Sequence, residues 1–244
     1  GRPGYGMLLD EKHGREALFA AATHPLWIGR PVELPGSRPL RFEFSDDLGA
    51  RLVEWPVTHT VKCLAFYHPG DPADLKSEQQ RLLRSTFEAA RKVGRELMIE
   101  IIAGKHGTLA DDTIARALDE LYALGIKPDW WKLEPQRSAA AWGSIGDTIA
   151  GRDPWCRGVV VLGLEAPEEE LEKSFAATAG VGVVKGFAVG RTLFADAARA
   201  WLGGRMGDAA AIDDMATRFH RLAELWQRAR GAKVARASGA ADRP

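Results

Sequence analysis

Short, almost unbroken apolar runs alternate with longer amphipathic stretches along most of the chain. Seven runs read as strands: Gly6–Asp10, Trp27–Leu34, Thr60–His68, Leu97–Ile102, Asp129–Pro135, Gly158–Gly163 and Val181–Gly190. They are rich in β-branched, aliphatic and aromatic residues, and several are closed by Pro or Gly. Helical spacing of apolar positions fills the gaps at Gly14–Thr23, Asp74–Val93, Thr113–Leu124, Ser138–Ala150, Pro167–Ala177, Ala195–Leu202 and Ala209–Arg230. Gly125 stands where a helix C-cap belongs, and Glu168, Glu169 and Glu170 crowd a first helical turn, as the macrodipole favours. Proline and mixed charge dominate residues 35–58, with Arg41–Phe44 a candidate edge strand. From Gly231 the chain becomes small and charged, which predicts a disordered tail over 231–244.

Apolar strands alternating with helices across short loops predict a parallel α/β protein. The spacing and length fit one (β/α)8 TIM barrel over residues 1–230. Seven strands is one short. Either Arg41–Phe44 is the eighth, or the first strand lies upstream of Gly1 and is missing from this chain, which is the preferred reading. A doubly wound sheet is the rival, but no strand here runs into a GxGxxG turn.

Charge narrows the function. The 244 residues carry 33 basic and 33 acidic side chains with no basic block, which argues against a nucleic-acid or membrane-surface partner. No apolar run approaches the ~20 residues of a membrane span, and no signal peptide opens the sequence. Cys63 and Cys156 form neither a CxxC nor a Cys/His cluster, which fits a reducing cytoplasm and offers no metal site.

Chemistry is expected at the carboxyl ends of barrel strands. That rule gathers Asp10, Glu33, Lys62, His68, Glu100, Lys132, Glu134, Glu165 and Gly190-Arg191. In the Asp129–Pro135 run, alternation turns Lys132 and Glu134 to one face and Trp131 and Leu133 to the other. Burying such charges is costly. A buried lysine titrates downward and becomes a candidate amine nucleophile for a carbonyl, although an ion pair capping the strand end is the competing reading. Lys62, Glu100, Lys132 and Glu134 on successive apolar strands point to a site. Glu100 could simply neutralise a lysine, and for Asp10 and Glu33 a helix N-cap role competes equally. For His68, before Pro69-Gly70, loop capping ranks ahead of substrate contact. Lys185 is a rival nucleophile but falls early in its strand. Gly190-Arg191 ends the last strand and opens a helix, where a backbone approach and a forked cation suit a phosphate.

The patterns Val61-Lys62, Leu64, Phe66-Tyr67, Glu100, Trp131-Lys132, Glu134 and Gly190-Arg191 resemble class I aldolases related to tagatose-1,6-bisphosphate aldolase and sulfofructose-phosphate aldolase. Gly29–Gly36 and Lys62–Pro69 are similar to the aldolase domain of inositol catabolism, which is fused to 5-dehydro-2-deoxygluconokinase. The resemblance covers the chain to about residue 230. It implies that Lys132 forms a Schiff base and Arg191 holds a substrate phosphate. The residues themselves place Glu134 or Glu100 to shuttle protons for that imine, and Lys62 would depress Lys132 by like charge and burial. The expected substrate is 2-deoxy-5-keto-gluconate 6-phosphate, cleaved without metal or cofactor, with a fused or partner sugar kinase and a homo-oligomer as company; the alternatives are an aldolase for another phosphorylated ketose or a non-catalytic sugar-phosphate-binding barrel that regulates a partner kinase. Such domains begin with a strand ending in an Asp-His-Arg-like sequence, absent here. Where the tagatose type carries a Ser-Gly element, this chain reads Leu162-Gly163-Leu164-Glu165, so Gly163 joins the phosphate-binding candidates and the substrate should differ.

Overall fold

Seven strands form one curled sheet in which every neighbouring pair is parallel and spatial order follows chain order. In the computed structural model, which describes residues 4–44, 47–163 and 165–238, the strands are β1 (Gly6–Leu8), β2 (Trp27–Pro31), β3 (His59–Phe66), β4 (Leu97–Ile102), β5 (Trp130–Leu133), β6 (Gly158–Leu162) and β7 (Val184–Ala188). The intervening helices are α1 (Glu11–Ala21), α2 (Leu48–Val53), α3 (Ala73–Lys92), α4 (Thr113–Ala123), α5 (Ala139–Arg152) and α6 (Glu168–Ala177). After β7 come α7 (Arg191–Leu202) and α8 (Asp208–Ser238). This is a partial TIM-barrel-like α/β fold. Among the described residues the sheet ends at β1 on one side and β7 on the other.

The two faces of the central strands differ as their alternation requires. Val61, Cys63 and Ala65 of β3, Leu97, Ile99 and Ile101 of β4, and Trp131 and Leu133 of β5 are all fully buried. They meet Leu83, Leu118 and Trp142 of the surrounding helices in one apolar cluster. Each Val, Leu or Ile among them contributes about 1.5–3 kcal/mol on burial, and Ile99→Ala would cost about 2–5 kcal/mol through the cavity it leaves. The other face carries Lys62, Glu100 and Lys132. Register places Glu100 beside Lys132 across the β4–β5 ladder. The aliphatic outer face supplies the stability that lets the inner face hold charge.

Burial on the inner face falls away toward the open edge. Its β6 and β7 positions, Val160, Leu162, Gly186 and Ala188, are only half-buried, and all three residues of β1 are exposed. A second apolar cluster lies outside the sheet, where Leu171 and Phe175 of α6 pack on Leu222 and Leu225 of α8.

Several boundaries differ from expectation, each for a local reason. Asp10 accepts from the His13 backbone N–H at 2.6 Å and so starts α1 three residues before Gly14. Arg41–Phe44 is not an eighth strand, because Phe42 makes only an isolated antiparallel bridge to Glu33. The single short helix α2 inside the proline-rich stretch lacks any periodicity long enough to announce it. Val181 to Val183 form a turn, closed by the Val184 N–H on the Val181 carbonyl, so β7 is shorter than Val181–Gly190. α7 begins at Arg191 rather than Ala195. Helix α8 runs to Ser238, past the expected tail boundary at Gly231, and residues 239–244 lie outside the described residues. No helix among the described residues is long and apolar enough to cross a membrane.

Candidate active site

Three adjacent strands each contribute one inward charge. Lys62 comes from β3, Glu100 from β4 and Lys132 from β5. Glu100 Oε2 sits 2.7 Å from Lys62 Nζ and 3.1 Å from Lys132 Nζ. These are charge contacts rather than aligned hydrogen bonds. Lys62 Nζ also donates to Glu33 Oε1, at the carboxyl end of β2. Two ammonium groups and two carboxylates therefore alternate in a chain, Glu33–Lys62–Glu100–Lys132. Each of the four side chains is at least nine-tenths buried. Pairing offsets the desolvation cost that an isolated charge would meet there.

The four groups do not titrate alike. Burial outweighs the attraction of Glu100 and, helped by the Lys62 charge, holds the Lys132 ammonium below the ordinary lysine range. Burial pulls Lys62 the same way, but Glu33 and Glu100 together overcome it and raise Lys62. Burial would lift Glu100, yet the two ammonium groups hold it below the usual carboxylate range. Glu33 lies at the end of the chain with one cation only, and burial raises it despite Lys62. Lys132 is thus the amine that gives up its proton most readily, and Lys62 the one that stays charged.

Glu134 shares the inward face but turns away from Lys132. Its Oε1 accepts the backbone N–H groups of Ala103 and Gly104 at 2.7 and 2.9 Å. Burial raises its carboxyl even against those two donors. A Cβ at Gly104 would stand 2.9 Å from both Glu134 Oε2 and Leu109 Cδ1, so a larger residue there would have to displace these side chains. His68 holds the far end of the same loop. Its Nε2 meets the Thr108 carbonyl at 3.1 Å and its Nδ1 accepts the Gly70 N–H at 2.9 Å. Loop organisation is the role the contacts give His68. The sequence reading missed the neighbouring Arg38–Asp71 ion pair, in which Asp71 also accepts the His68 N–H. Nothing in local spacing announces a pair 33 residues apart.

The remaining candidates lie apart from the buried chain. Asp10 is occupied as the α1 cap. Lys185 is exposed and donates to the Gly182 carbonyl at 2.7 Å, so it has no place in the pocket. Gly163 is buried, and a Cβ there would meet Val189 Cγ1 at 2.7 Å, so this glycine serves close packing of the β6 and β7 ends. Leu164 lies outside the described residues. Gly190 is the N-cap of α7. Arg191 is 70% exposed and paired with Glu165. It borders a cavity of about 270 Å³ together with Glu168, Thr192, Arg199 and Arg218, between α6, α7 and α8. Among the described residues no hydrogen bond or ion pair joins Arg191 to the Lys132 chain, although both stand at the carboxyl end of the sheet. Burial pushes the Cys63 thiol up, and that of Cys156 to about 11, so neither offers a thiolate near neutrality. The described residues hold no group of three or more His, Cys, Asp or Glu side chains placed for a metal ion.

Comparison with known proteins fits this architecture. A family model described as "Uncharacterized protein conserved in bacteria (DUF2090)" matches residues 1–230. No curated protein sequence matches the chain. Among solved structures it is similar to Cgl0159 from Corynebacterium glutamicum, with 18% identity and a TM-score of 0.60 over 90% of this chain and 72% of that one. It is also similar to a fructose-bisphosphate aldolase from Slackia heliotrinireducens DSM 20476, with 15% identity and a TM-score of 0.52 over 87% of this chain and 72% of that one. At such identities the likeness is one of fold.

Proposed function

The chain belongs to the DUF2090 family, and from its site we propose that it is a class I aldolase that cleaves a phosphorylated ketose through a Schiff base on Lys132. One observation carries the reading: Lys132 is a buried lysine whose amine is driven toward its neutral form and touches a carboxylate, Glu100, that a second lysine keeps ionised. Neutral Lys132 adds to the substrate ketone, and loss of the oxygen as water leaves an iminium. Electrons of the neighbouring carbon–carbon bond then flow to the iminium nitrogen, and an aldehyde departs as the hydroxyl proton is removed. Glu100 is the carboxylate in reach to move those protons and to balance the iminium charge. Glu134 fixes the loop over the site. Arg191, at the start of α7, is the cation for the phosphate, and binding there is remote from the reacting bond.

The substrate we favour is 2-deoxy-5-keto-gluconate 6-phosphate, cleaved to dihydroxyacetone phosphate and malonate semialdehyde in the cytoplasm, with a sugar kinase fused or associated. Support comes from the resemblance of Gly29–Gly36 and Lys62–Pro69 to the inositol-catabolism aldolase domain. A second reading, an aldolase for another phosphorylated ketose, is favoured by the shared fold with a fructose-bisphosphate aldolase. Borohydride reduction in the presence of dihydroxyacetone phosphate tests the mechanism. An adduct mapped to Lys132 supports it, and an adduct on Lys185 or none at all removes it. Assay of triose phosphate from each candidate ketose separates the two substrates.

A further inference from the structure

Glu33 takes no part in the steps above, yet it is buried, touches the chain of charges and has one oxygen with no partner. We infer that Glu33 is the proton store of the site: it takes up the proton that Lys132 must lose, passed along by Glu100 and Lys62. This rests on the aldolase reading of Lys132.

The placement of Glu33 is rigid. Its backbone bridges Phe42, and the residues on either side are tied down, the Leu34 N–H to the Arg41 carbonyl at 2.7 Å and the Glu43 N–H to the Val32 carbonyl at 3.0 Å. Its side chain, 6% exposed as a residue, gives Oε1 to Lys62 and leaves Oε2 buried without a hydrogen-bond partner. A bare carboxylate oxygen away from water is costly to keep ionised, whereas a carboxylic acid is far less so. The groups that face it are Lys62 from β3 and, one contact further, Glu100 from β4; Lys132 lies beyond. The neighbouring Cys63 thiol is itself held neutral by burial and is no rival acceptor.

Charge balance gives the reason for a store. While Lys132 is an ammonium, the two cations match the two carboxylates. Once Lys132 is a neutral amine, Lys62 and Glu100 still match each other, and an ionised Glu33 would leave one buried negative charge uncompensated. Protonating Glu33 restores neutrality, in line with the upward shift of its carboxyl. The groups stand in contact along the route, Lys132 Nζ to Glu100 Oε2 at 3.1 Å, Glu100 Oε2 to Lys62 Nζ at 2.7 Å, and Lys62 Nζ to Glu33 Oε1, and the first two contacts must align for the proton to move. One proton leaves Lys132 and one arrives on Glu33, while Glu100 and Lys62 finish as they began. The amine is freed without releasing a proton to solvent.

Infrared difference spectroscopy of the full chain at neutral pH, wild type minus Glu33→Gln, reads this directly. The expected difference is the carbonyl stretch of a protonated carboxyl, moving to lower frequency in D2O. A difference showing only the bands of an ionised carboxylate overturns the assignment. Should Glu33→Gln not fold, Glu33→Asp replaces it, and the same protonated band must then shift rather than vanish. Glu134→Gln, a buried carboxyl outside the chain of charges, is the control and should leave the Glu33 band in place. Borohydride trapping is run beside the spectra. An adduct on Lys132 with no protonated Glu33 removes only the proton store, whereas absence of the adduct removes the aldolase reading itself.

Discussion

Two sets of ion pairs stand at the carboxyl end of one sheet, and they behave as opposites. Glu33, Lys62, Glu100 and Lys132 are nearly dry, so each charge feels its neighbours strongly and the four titrations are pushed apart. Arg191 and Glu165 are 70% and 47% exposed, so water and salt screen them and the pair can open for an anion. On the proposed aldolase reading, the contrast divides the work. Chemistry needs a fixed field and an amine that loses its proton, which only the interior provides. Capture of a charged substrate needs an accessible cation, which the rim provides.

The largest test of this division is Lys132→Ala. Cleavage should fall by a factor of about 10³ or more with the melting temperature little changed, because Glu100 keeps Lys62 as partner. Measurable Schiff-base turnover in that variant would end the contrast. Glu100→Gln comes next. The buried Lys62 ammonium and the Lys132 amine lose their shared carboxylate, so stability should drop by about 3–5 kcal/mol in denaturant titration and kcat by about 10²–10⁴-fold. Its linkage has a definite sign. The Glu100 carboxyl is lower folded than unfolded, so its stabilisation is present above the ordinary carboxylate range and disappears as pH falls through the folded value. Glu100→Gln should lack that part of the acid dependence.

Lys62→Met sharpens the picture inside the dry set. Removing a like charge raises Lys132, so the acid limb of borohydride trapping should move to higher pH, with about tenfold less adduct at a given acid pH for each unit moved. An unmoved limb would mean that burial alone sets the Lys132 amine. At the rim the effects shrink. Arg191→Ala should raise KM for the phosphorylated ketose by about 3–10-fold with kcat unchanged, less than for a buried anchor, and rising salt should erase part of the difference. Lys185→Ala should alter stability by no more than about 0.5 kcal/mol and activity not at all.

Legibility in the sequence follows the same line. Leu97–Ile102 reads as a strand because five apolar residues around one acid make a short, nearly continuous apolar run, and β4 has those bounds. Period-2 alternation also places Lys62, Glu100 and Lys132 on inner faces, because each strand declares its two sides locally. The turn of Glu134 onto the Ala103 and Gly104 N–H groups was not legible. It depends on where the loop after β4 travels, as does the Arg38–Asp71 pair. Gly163 was read as a phosphate contact, and its close packing against Val189 was not legible.

By itself the sequence determined the order of the seven strands and of every helix but α2, their parallel arrangement and the residues facing inward, since these follow from local periodicity and burial of apolar surface. Only the tertiary structure decided which carboxylate meets which amine, that Glu33 rather than Glu134 completes the chain of charges, and that Arg191 faces solvent beside Glu165. The reason is distance. Electrostatic coupling at 3 Å depends on register between strands that are far apart in sequence, and no local pattern encodes it.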